Sequence, residues 1–469
     1  MSVGARLAPD ATGYARPARR QPRRGLVITY RPAVLIALVC LLGTALLPML
    51  ASKGALVFLL AGSVLVAMRP GEVLAAMRRN WLVVALVAWC LVSVTWSDYP
   101  AVTVRYGVQL LLTMLIAMAL ADRLPPALFV RLVLVAQLAA SLASLASGRT
   151  RSDGAGYLGI YASKNALAAS SGLLVIVAVA ILFDRRSPRL WRLTALMSLG
   201  IGFVLLVMAK STGALIAVAG TVAAFGVLYV LRRLEGPLRF AVVAMALILI
   251  AAAAVILSGM FAELSQAFLG TTGKDLTLTG RTDLWATAFA EIAQRPFLGT
   301  GYQAFWVVGN PGAEELWSEF GIESRSGFNF HNTLISNAVE IGLVGAAMQA
   351  VLFFGALWGV LSWTIRSPGA ASIFFALFMV RQFVLMQVEL VFFTQFDFTT
   401  VITLVAIFHA AGFRQAARAM DAPTARRVPR GWTQVAPVAP TPQEWPRARS
   451  PIRPRRVFSG PRLHGSDRA

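Results

Sequence analysis

The sequence predicts an all-α integral membrane protein with about twelve transmembrane helices and one long extracytoplasmic loop between spans 9 and 10. Two observations predict this fold class. Hydrophobic residues make up 57% of the 469 residues and the mean hydropathy is +0.69, which is typical of polytopic membrane proteins and rare in soluble domains. Apolar runs also recur along most of the chain, and they are too long and too uniformly apolar for barrel strands.

The predicted spans follow one another in chain order, each about long enough to cross the hydrocarbon core as a helix. They are residues 33–51, 54–68, 81–96, 102–121, 126–147, 165–183, 193–209, 213–231, 240–258, 332–361, 372–392 and 398–413. The membrane domain therefore covers residues 33–413. Residues 1–32 and 414–469 are basic tails rich in Arg and Pro, and we expect both to be disordered.

The basic residues predict the orientation in the membrane. Most of the 43 Lys and Arg fall in the two tails and at alternate connections, so the positive-inside rule places both tails in the cytoplasm. We expect the basic residues that give the net charge of +22 to lie near anionic lipid headgroups. The sequence does not predict nucleic-acid binding, because basic and aromatic residues are not interleaved on a folded domain. Cys40 and Cys90 lie within apolar runs, which predicts buried thiols rather than a disulfide or a metal site.

One predicted connection, residues 259–331, is about 70 residues long, and loops of this length are usually functional. We expect it to be extracytoplasmic and to carry functional residues. It is rich in Asp and Glu, which draws attention to its few basic residues: Lys274, Arg281, Arg295 and Arg325.

A helix is predicted inside this loop, from Thr282 as a candidate N-cap to Arg295. Its apolar face has the spacing i, i+3, i+4, i+7, given by Trp285, Ala288, Phe289 and Ile292. We expect this helix to lie along the bilayer surface or to cap the bundle. Arg281 lies at its start, where a guanidinium and free helix amides suit an anion such as phosphate. The alternative is a structural Arg that bonds a loop carbonyl.

His331 is predicted at the outer mouth of the tenth span, and it is a candidate catalytic residue facing the long loop. Helical periodicity places Gly342 and Gly345 on the His331 face, where they would let another helix approach closely. Glu340 falls on the opposite face and needs a partner within the membrane, for which Arg381 is a plausible choice. A structural histidine is the alternative for His331.

Several motifs together are similar to one family of membrane enzymes. His331 and Asn332, followed by nine residues, Gly342, two residues and Gly345, resemble a signature of bacterial O-antigen ligases. Residues 279–306, which include TGRTDLW and RPFLGTGYQAFW, resemble the wider superfamily of O-antigen ligases and Wzy-type polysaccharide polymerases.

Two further motifs resemble the exopolysaccharide-polymerase branch of that superfamily. They are WSDYPAVTVRYGVQ at residues 96–109 and GIYASKN at residues 159–165. The resemblance extends over roughly residues 33–413. It implies a multi-pass protein of the bacterial inner membrane whose active site faces the periplasm.

The resemblance also implies a reaction, which is metal-independent transfer of a glycan from undecaprenyl diphosphate to an acceptor hydroxyl. Arg281 and Lys210 would neutralise the leaving diphosphate, and no metal site or cofactor is expected. His331 would take the proton of the acceptor hydroxyl as a general base. Direct displacement would invert the anomeric carbon.

Lys210, in the sequence AKSTGAL, departs from the ligase pattern, which typically has Arg at this position. Lysine keeps the charge but loses the planar fork, and the sequence resembles the polymerase branch. A snorkelling membrane anchor is the alternative for this residue.

Five further residues are candidate substrate contacts. Arg105 could contact substrate or be structural, and Tyr302 could stack on a sugar or pack in the core. Lys164 and Asn165 could orient a phosphate or a sugar, although Asn165 could also cap the sixth span. Asn332 is a candidate because it belongs to the His331 motif.

The predicted function is polymerisation of an exopolysaccharide or O-antigen, and ligation of a glycan to lipid A-core is the alternative. Expected partners are the lipid-linked oligosaccharide, an acceptor glycan or glycolipid, membrane lipids, and a flippase and chain-length regulator. Alternatives from other classes are a transporter, for which no repeated halves are visible, and a non-catalytic membrane scaffold.

Overall fold

A computed structural model describes residues 32–152, 154, 156–231, 233–239, 241–242, 245 and 281–421. The chain divides into two units, residues 1–421 and 422–469, and every described residue belongs to the first. Nearly all of the predicted N-terminal tail, most of the predicted ninth span and the first part of the predicted long loop lie outside the described residues.

The described residues are mostly helical, and we number the helices in chain order. They are α1 (Pro32–Ala45), α2 (Leu47–Leu50), α3 (Ser52–Met68), α4 (Pro70–Arg79), α5 (Trp81–Val92), α6 (Pro100–Arg123), α7 (Pro126–Ser147), α8 (Lys164–Phe183), α9 (Arg189–Met208), α10 (Thr212–Leu231), α11 (Arg281–Gln294), α12 (Pro311–Glu319), α13 (Thr333–Arg366), α14 (Ala370–Leu385) and α15 (Phe398–Asp421). Within these ranges the only β-type pairing is one isolated bridge between Thr150 and Tyr157, so the fold is all-α.

Five of these helices, α6, α7, α8, α9 and α13, are long and apolar enough to cross a membrane. The count reaches six if α3 and α4, which meet at a bend of 93°, form one broken span. Shorter apolar helices are present at Pro32–Ala45, Trp81–Thr95, Ala217–Leu231 and Ala370–Leu385. The protein is therefore an all-α membrane protein, while twelve spans and the side of the long loop stay predictions.

Two predicted boundaries near the C-terminal end of the membrane domain differ from the structure. The predicted span 372–392 ends as a helix at Leu385, and residues 386–397 continue without regular helix. The last helix, in contrast, runs beyond residue 413 to Asp421. The early end of α14 matters for function, because it brings residues 386–397 back beside the start of α13.

Helix α13 is broken at Gly342, which adopts φ 68° and ψ 176°. Residues 296–301 pack into the break through backbone hydrogen bonds: Thr300 N–H to Val339 O at 2.9 Å, Gly301 N–H to Glu340 O at 2.8 Å and Leu343 N–H to Pro296 O at 2.8 Å. A Cβ on Gly342 would lie 2.1 Å from Phe297 O. The close approach predicted for this glycine is therefore made by loop backbone, and the prediction of a neighbouring helix there is wrong.

The predicted pairing of Glu340 with Arg381 is also wrong. Glu340 Oε2 instead accepts a hydrogen bond from the backbone N–H of Gln303 at 3.0 Å. Arg381 donates through Nη1 to Gln382 Oε1 at 3.0 Å and through Nη2 to the carbonyl of Ala169. Glu340 thus binds Gln303, two residues after the 296–301 segment, while Arg381 belongs to a separate polar region.

Helix α11 packs over the outer end of α13, and its buried face includes the predicted Trp285, Ala288 and Ile292 but not Phe289. Leu284 is 1% exposed and Ala288 is fully buried, whereas Phe289, predicted on this face, is 55% exposed. Trp285 and Ile292 pack at the edge of the same cluster, which also includes residues of α12 and Phe330. Arg281 is already helical, so Thr282 lies within α11 rather than preceding it.

Candidate functional site

A cavity of about 520 Å³ lies between α7, α8, α14 and the segment 386–397. Its outer part includes the half-buried side chains of His331 and Glu389, and its inner part is polar and more deeply buried. The polar residues in its lining are Thr44, Gln137, Tyr161, Ser163, Asn165, Ser170, Asn329, His331, Arg381, Gln382, Glu389, Asp397 and Thr399.

His331 immediately precedes α13 and has a backbone φ of 49°, unusual for a residue with a side chain. Two neighbours support this conformation. The His331 N–H donates to Asn329 Oδ1 at 2.7 Å, and Asn332 caps α13 by accepting from the backbone N–H groups of Leu334 and Ile335. The imidazole Nδ1 lies 3.4 Å from Glu389 Oε2. This contact fixes one ring nitrogen beside a carboxylate and leaves Nε2 for another partner.

Thr333 fixes Glu389 relative to His331. Its backbone N–H donates to Met386 O at 2.9 Å, and its hydroxyl donates to Glu389 O at 2.7 Å. The N–H of Val391 in turn donates to the same hydroxyl oxygen at 3.2 Å. Because Thr333 is adjacent to the His331–Asn332 pair and fully buried, the carboxylate-bearing segment and the histidine are held as one unit.

Arg281, at the first described position of α11, lies in the electrostatic field of Glu389. Partial burial lowers the pKa of its guanidinium below the usual value, and the Glu389 carboxylate opposes that shift. Its Nη1 is buried and has no hydrogen-bond partner among the described residues. One turn later, Trp285 Nε1 donates to Phe330 O at 2.7 Å and ties α11 to the residue before His331. Arg281 and His331 therefore both lie near the carboxylate of Glu389.

Lys210 lies on the flank of this site rather than in the cavity lining. It is exposed, follows α9 with φ 50°, and its Nζ is 3.5 Å from Gly154 O. The next residue connects it to the cavity, because Ser211 Oγ donates to Asn165 Oδ1 at 3.0 Å and Asn165 is part of the lining. The two predicted cations thus lie outside the cavity lining, Arg281 near Glu389 and Lys210 near Gly154.

Two predicted substrate contacts, Tyr302 and Arg105, lie outside the cavity lining. Tyr302 is fully buried, and its hydroxyl donates to Phe393 O at 2.9 Å, so stacking on a sugar is wrong and packing is the correct alternative. Burial also raises the pKa of Tyr302 well above its usual value. Arg105 is exposed on α6, with its guanidinium 5.4 Å from the ring centre of Tyr106, and it is not part of the cavity lining.

The remaining predicted contacts lie at the ends of helices. Asn332 is the N-cap of α13, and its amide nitrogen lies 3.4 Å from Gln387 O, so its side chain has a structural role. Asn165 does not cap α8, because Ser163 does so by accepting from Ala166 N–H at 3.1 Å. Lys164 is the first residue of α8, next to the cavity lining.

Sequence reasoning assigned no role to several polar residues of this cavity. Glu389 was visible as an acidic residue inside a predicted span, but only the early end of α14 reveals its contact with His331. Gln137, Tyr161 and Asp397 come from three separate segments, and nothing in their local sequence indicates that they meet. The sequence signal for a functional role was that each of these polar residues lies within or next to an apolar run.

A second cavity, of about 390 Å³, lies at the opposite end of α13, where Asp122 and His409 form part of its lining. None of the predicted site residues lies there. Within the described ranges, no three His, Cys, Asp or Glu side chains come close enough to share a metal ion.

Comparison with known proteins agrees with the motifs. Residues 197–350 match the family model described as O-Antigen ligase. The chain is also 33% identical over 316 residues to "Exopolysaccharide production protein ExoQ" from Rhizobium meliloti (strain 1021), an alignment that covers 64% of this chain and 71% of that protein. Arg281, His331 and the break at Gly342 all lie within the matched residues. The chain therefore belongs to the superfamily of O-antigen ligases and Wzy-type polysaccharide polymerases.

Proposed function

We propose that this protein transfers a glycan from undecaprenyl diphosphate to an acceptor hydroxyl on the periplasmic side of the inner membrane, and so extends an exopolysaccharide. The observation that carries the proposal is the His331–Glu389 contact at the cavity, with the guanidinium of Arg281 acting on the same carboxylate. Family membership favours this reaction over the transporter and scaffold alternatives.

The histidine serves as the general base. Glu389 accepts from Nδ1–H, which keeps the imidazole oriented and leaves the lone pair of Nε2 for the acceptor hydroxyl. As the hydroxyl oxygen attacks the anomeric carbon, its proton passes to Nε2. The new glycosidic bond forms while the bond between the anomeric carbon and the diphosphate oxygen breaks, with inversion. The proton returns to water when the products leave.

The cations stabilise the leaving diphosphate, which gains negative charge as the bond breaks. Arg281 carries a buried Nη1 with no partner among the described residues, so it has hydrogen-bonding capacity for a phosphate oxygen. Lys210 is exposed beside the cavity, next to Ser211, and adds a second positive charge. Under this proposal a cation-stabilised diphosphate leaves without a metal ion.

Polymerisation is favoured over ligation by the relative whose name refers to exopolysaccharide production, and by lysine at position 210. The ligase alternative is retained because the matching family model is described as O-Antigen ligase. Glycans from a strain that lacks the gene separate the two. Single lipid-linked repeat units indicate a polymerase, whereas full-length lipid-linked chains that are not joined to lipid A-core indicate a ligase.

The catalytic assignment is tested by returning His331→Ala and His331→Gln to the deletion strain. We expect both to abolish the surface polysaccharide while the protein reaches normal levels in the membrane. His409→Gln is the matched control, because that histidine lies at the opposite end of the bundle and should leave the polysaccharide unchanged. Full restoration of polysaccharide by His331→Ala would refute the proposal.

A further inference from the structure

The inner half of the 520 Å³ cavity contains polar side chains that the proposed proton transfer does not use. Arg381 is 2% exposed, Gln137 is 2% exposed and Gln382 is fully buried, yet all three are part of the lining. Asp397 and Tyr161 complete the group from the loops before α15 and α8. Buried polar groups are costly within a membrane domain, so this concentration around a cavity indicates a ligand.

The fixed charges of the lining argue against a diphosphate in this inner region. Arg381 is the one guanidinium of the lining, and Asp397 is the carboxylate that acts on it. Glu389 adds a second carboxylate, so two carboxylates accompany the single guanidinium of the lining. The cations assigned to the diphosphate, Arg281 and Lys210, lie outside the lining, which leaves the inner region to a neutral ligand.

The polar groups are held in place by one another. Gln382 Nε2 donates to Val391 O at 2.9 Å, in addition to accepting from Arg381. Gln137 Nε2 donates to Ser170 O at 2.9 Å, and Ser170 Oγ is also hydrogen-bonded to the hydroxyl of Tyr161. A preorganised set of donors and acceptors beside apolar walls, in a volume of several hundred Å³, is typical of pockets for small polar molecules.

We propose that this inner region is the subsite for the neutral terminal sugar of the acceptor glycan, bound by Gln137, Tyr161, Arg381 and Asp397. The inference rests on the proposed function and extends it by separating two substrates. The acceptor sugar occupies the cavity, where its hydroxyl can reach His331, and the donor diphosphate lies outside at Arg281 and Lys210. Leu47, Pro48 and Phe398 provide the apolar wall for the C–H face of the sugar.

The test measures the binding of two probes to the full chain purified in detergent. One probe is the repeat-unit oligosaccharide released by mild acid from the lipid-linked glycan of the deletion strain, and the other is undecaprenyl diphosphate. We expect Gln137→Leu and Asp397→Asn each to weaken oligosaccharide binding by about tenfold, equivalent to about one hydrogen bond. Both variants should change undecaprenyl diphosphate binding by less than about twofold, because that ligand is assigned to other residues.

Two controls make the comparison specific. Ser141→Ala removes a buried hydroxyl one turn from Gln137 on α7, outside the cavity lining, and should not alter either affinity. Arg281→Ala should give the opposite pattern, with weaker binding of undecaprenyl diphosphate and unchanged binding of the oligosaccharide. If Gln137→Leu does not fold, Tyr161→Phe replaces it, because it removes a hydroxyl of the same network.

The proposal is overturned if the wild-type protein does not bind the oligosaccharide, if Gln137→Leu and Asp397→Asn leave that affinity unchanged, or if they weaken both probes equally. These outcomes differ from a failure of the proposed function, because binding does not require turnover. Wild-type polysaccharide in the His331→Ala strain would refute the catalytic role while the binding pattern could still hold.

Discussion

The break in α13 gives the sharpest prediction, which concerns Gly342→Ala. At φ 68° and ψ 176° the backbone lies in a region that is essentially restricted to glycine. The added Cβ would lie 2.1 Å from Phe297 O, 2.3 Å from Phe297 C and 2.6 Å from Leu298 N. All three atoms belong to backbone, so no side-chain rotation can relieve the overlap.

The expected loss of stability follows from the backbone hydrogen bonds that the added methyl group would break. Three backbone hydrogen bonds join residues 296–301 to the break, and each contributes ~1 kcal/mol. Forcing alanine into this backbone conformation costs a further ~1–3 kcal/mol. The expected decrease in the free energy of unfolding is ~4–6 kcal/mol, which is exceptionally large for a single substitution. It is comparable to the whole free energy of unfolding of many domains.

The assay compares thermal denaturation in detergent, membrane level and polysaccharide production for Gly342→Ala and Gly355→Ala. Gly355 is in the same helix and has nothing within 4 Å of an added Cβ, so alanine there should be neutral or slightly stabilising. We expect Gly342→Ala to fail to accumulate or to denature far below the wild type. Equal stability and activity of the two variants would refute this account of the break.

Two further predictions concern the site and its support. Glu389→Gln should lower transfer by about 10²-fold and change the pH profile, because the carboxylate that orients His331 is lost; in a His331→Ala background it should have no added effect. Tyr302→Phe should destabilise the protein by ~1–3 kcal/mol, because the buried Phe393 carbonyl loses its donor, and the kinetics of transfer should not change. A change in acceptor KM for Tyr302→Phe with unchanged stability would reverse the assignment of that residue to the core.

The sequence was sufficient for the fold class and for singling out the histidine, but not for the carboxylate that it contacts. Hydropathy identified apolar helices, and the motifs singled out Arg281 and His331, which both lie near Glu389 in the structure and whose roles stay proposals. Both predictions rest on properties that are local in the sequence, namely apolar length and short motifs at a fixed distance.

Long-range backbone geometry explains what the sequence did not predict. Periodicity placed Gly342 on a helix face, but periodicity assumes an unbroken helix and fails where a loop replaces the helical hydrogen bonds. The same assumption extended the span 372–392 too far and hid Glu389. Phe289 was placed on the buried face because apolar spacing cannot distinguish a side chain that faces the core from one that faces lipid or solvent.

The segment from Arg281 to the break in α13 has a consequence for how such enzymes diversify. Trp285 joins α11 to Phe330, and residues 296–301 are hydrogen-bonded to α13 around Gly342. The segment from Arg281 to the break is therefore linked to the start of α13 at two places. Residues 281–343 therefore form one structural block that contains both Arg281 and His331. Under the proposed function, recombination between relatives that exchanges this block whole would keep the cation and the base together, and substitutions in the cavity helices α7 and α14 would change the choice of acceptor sugar.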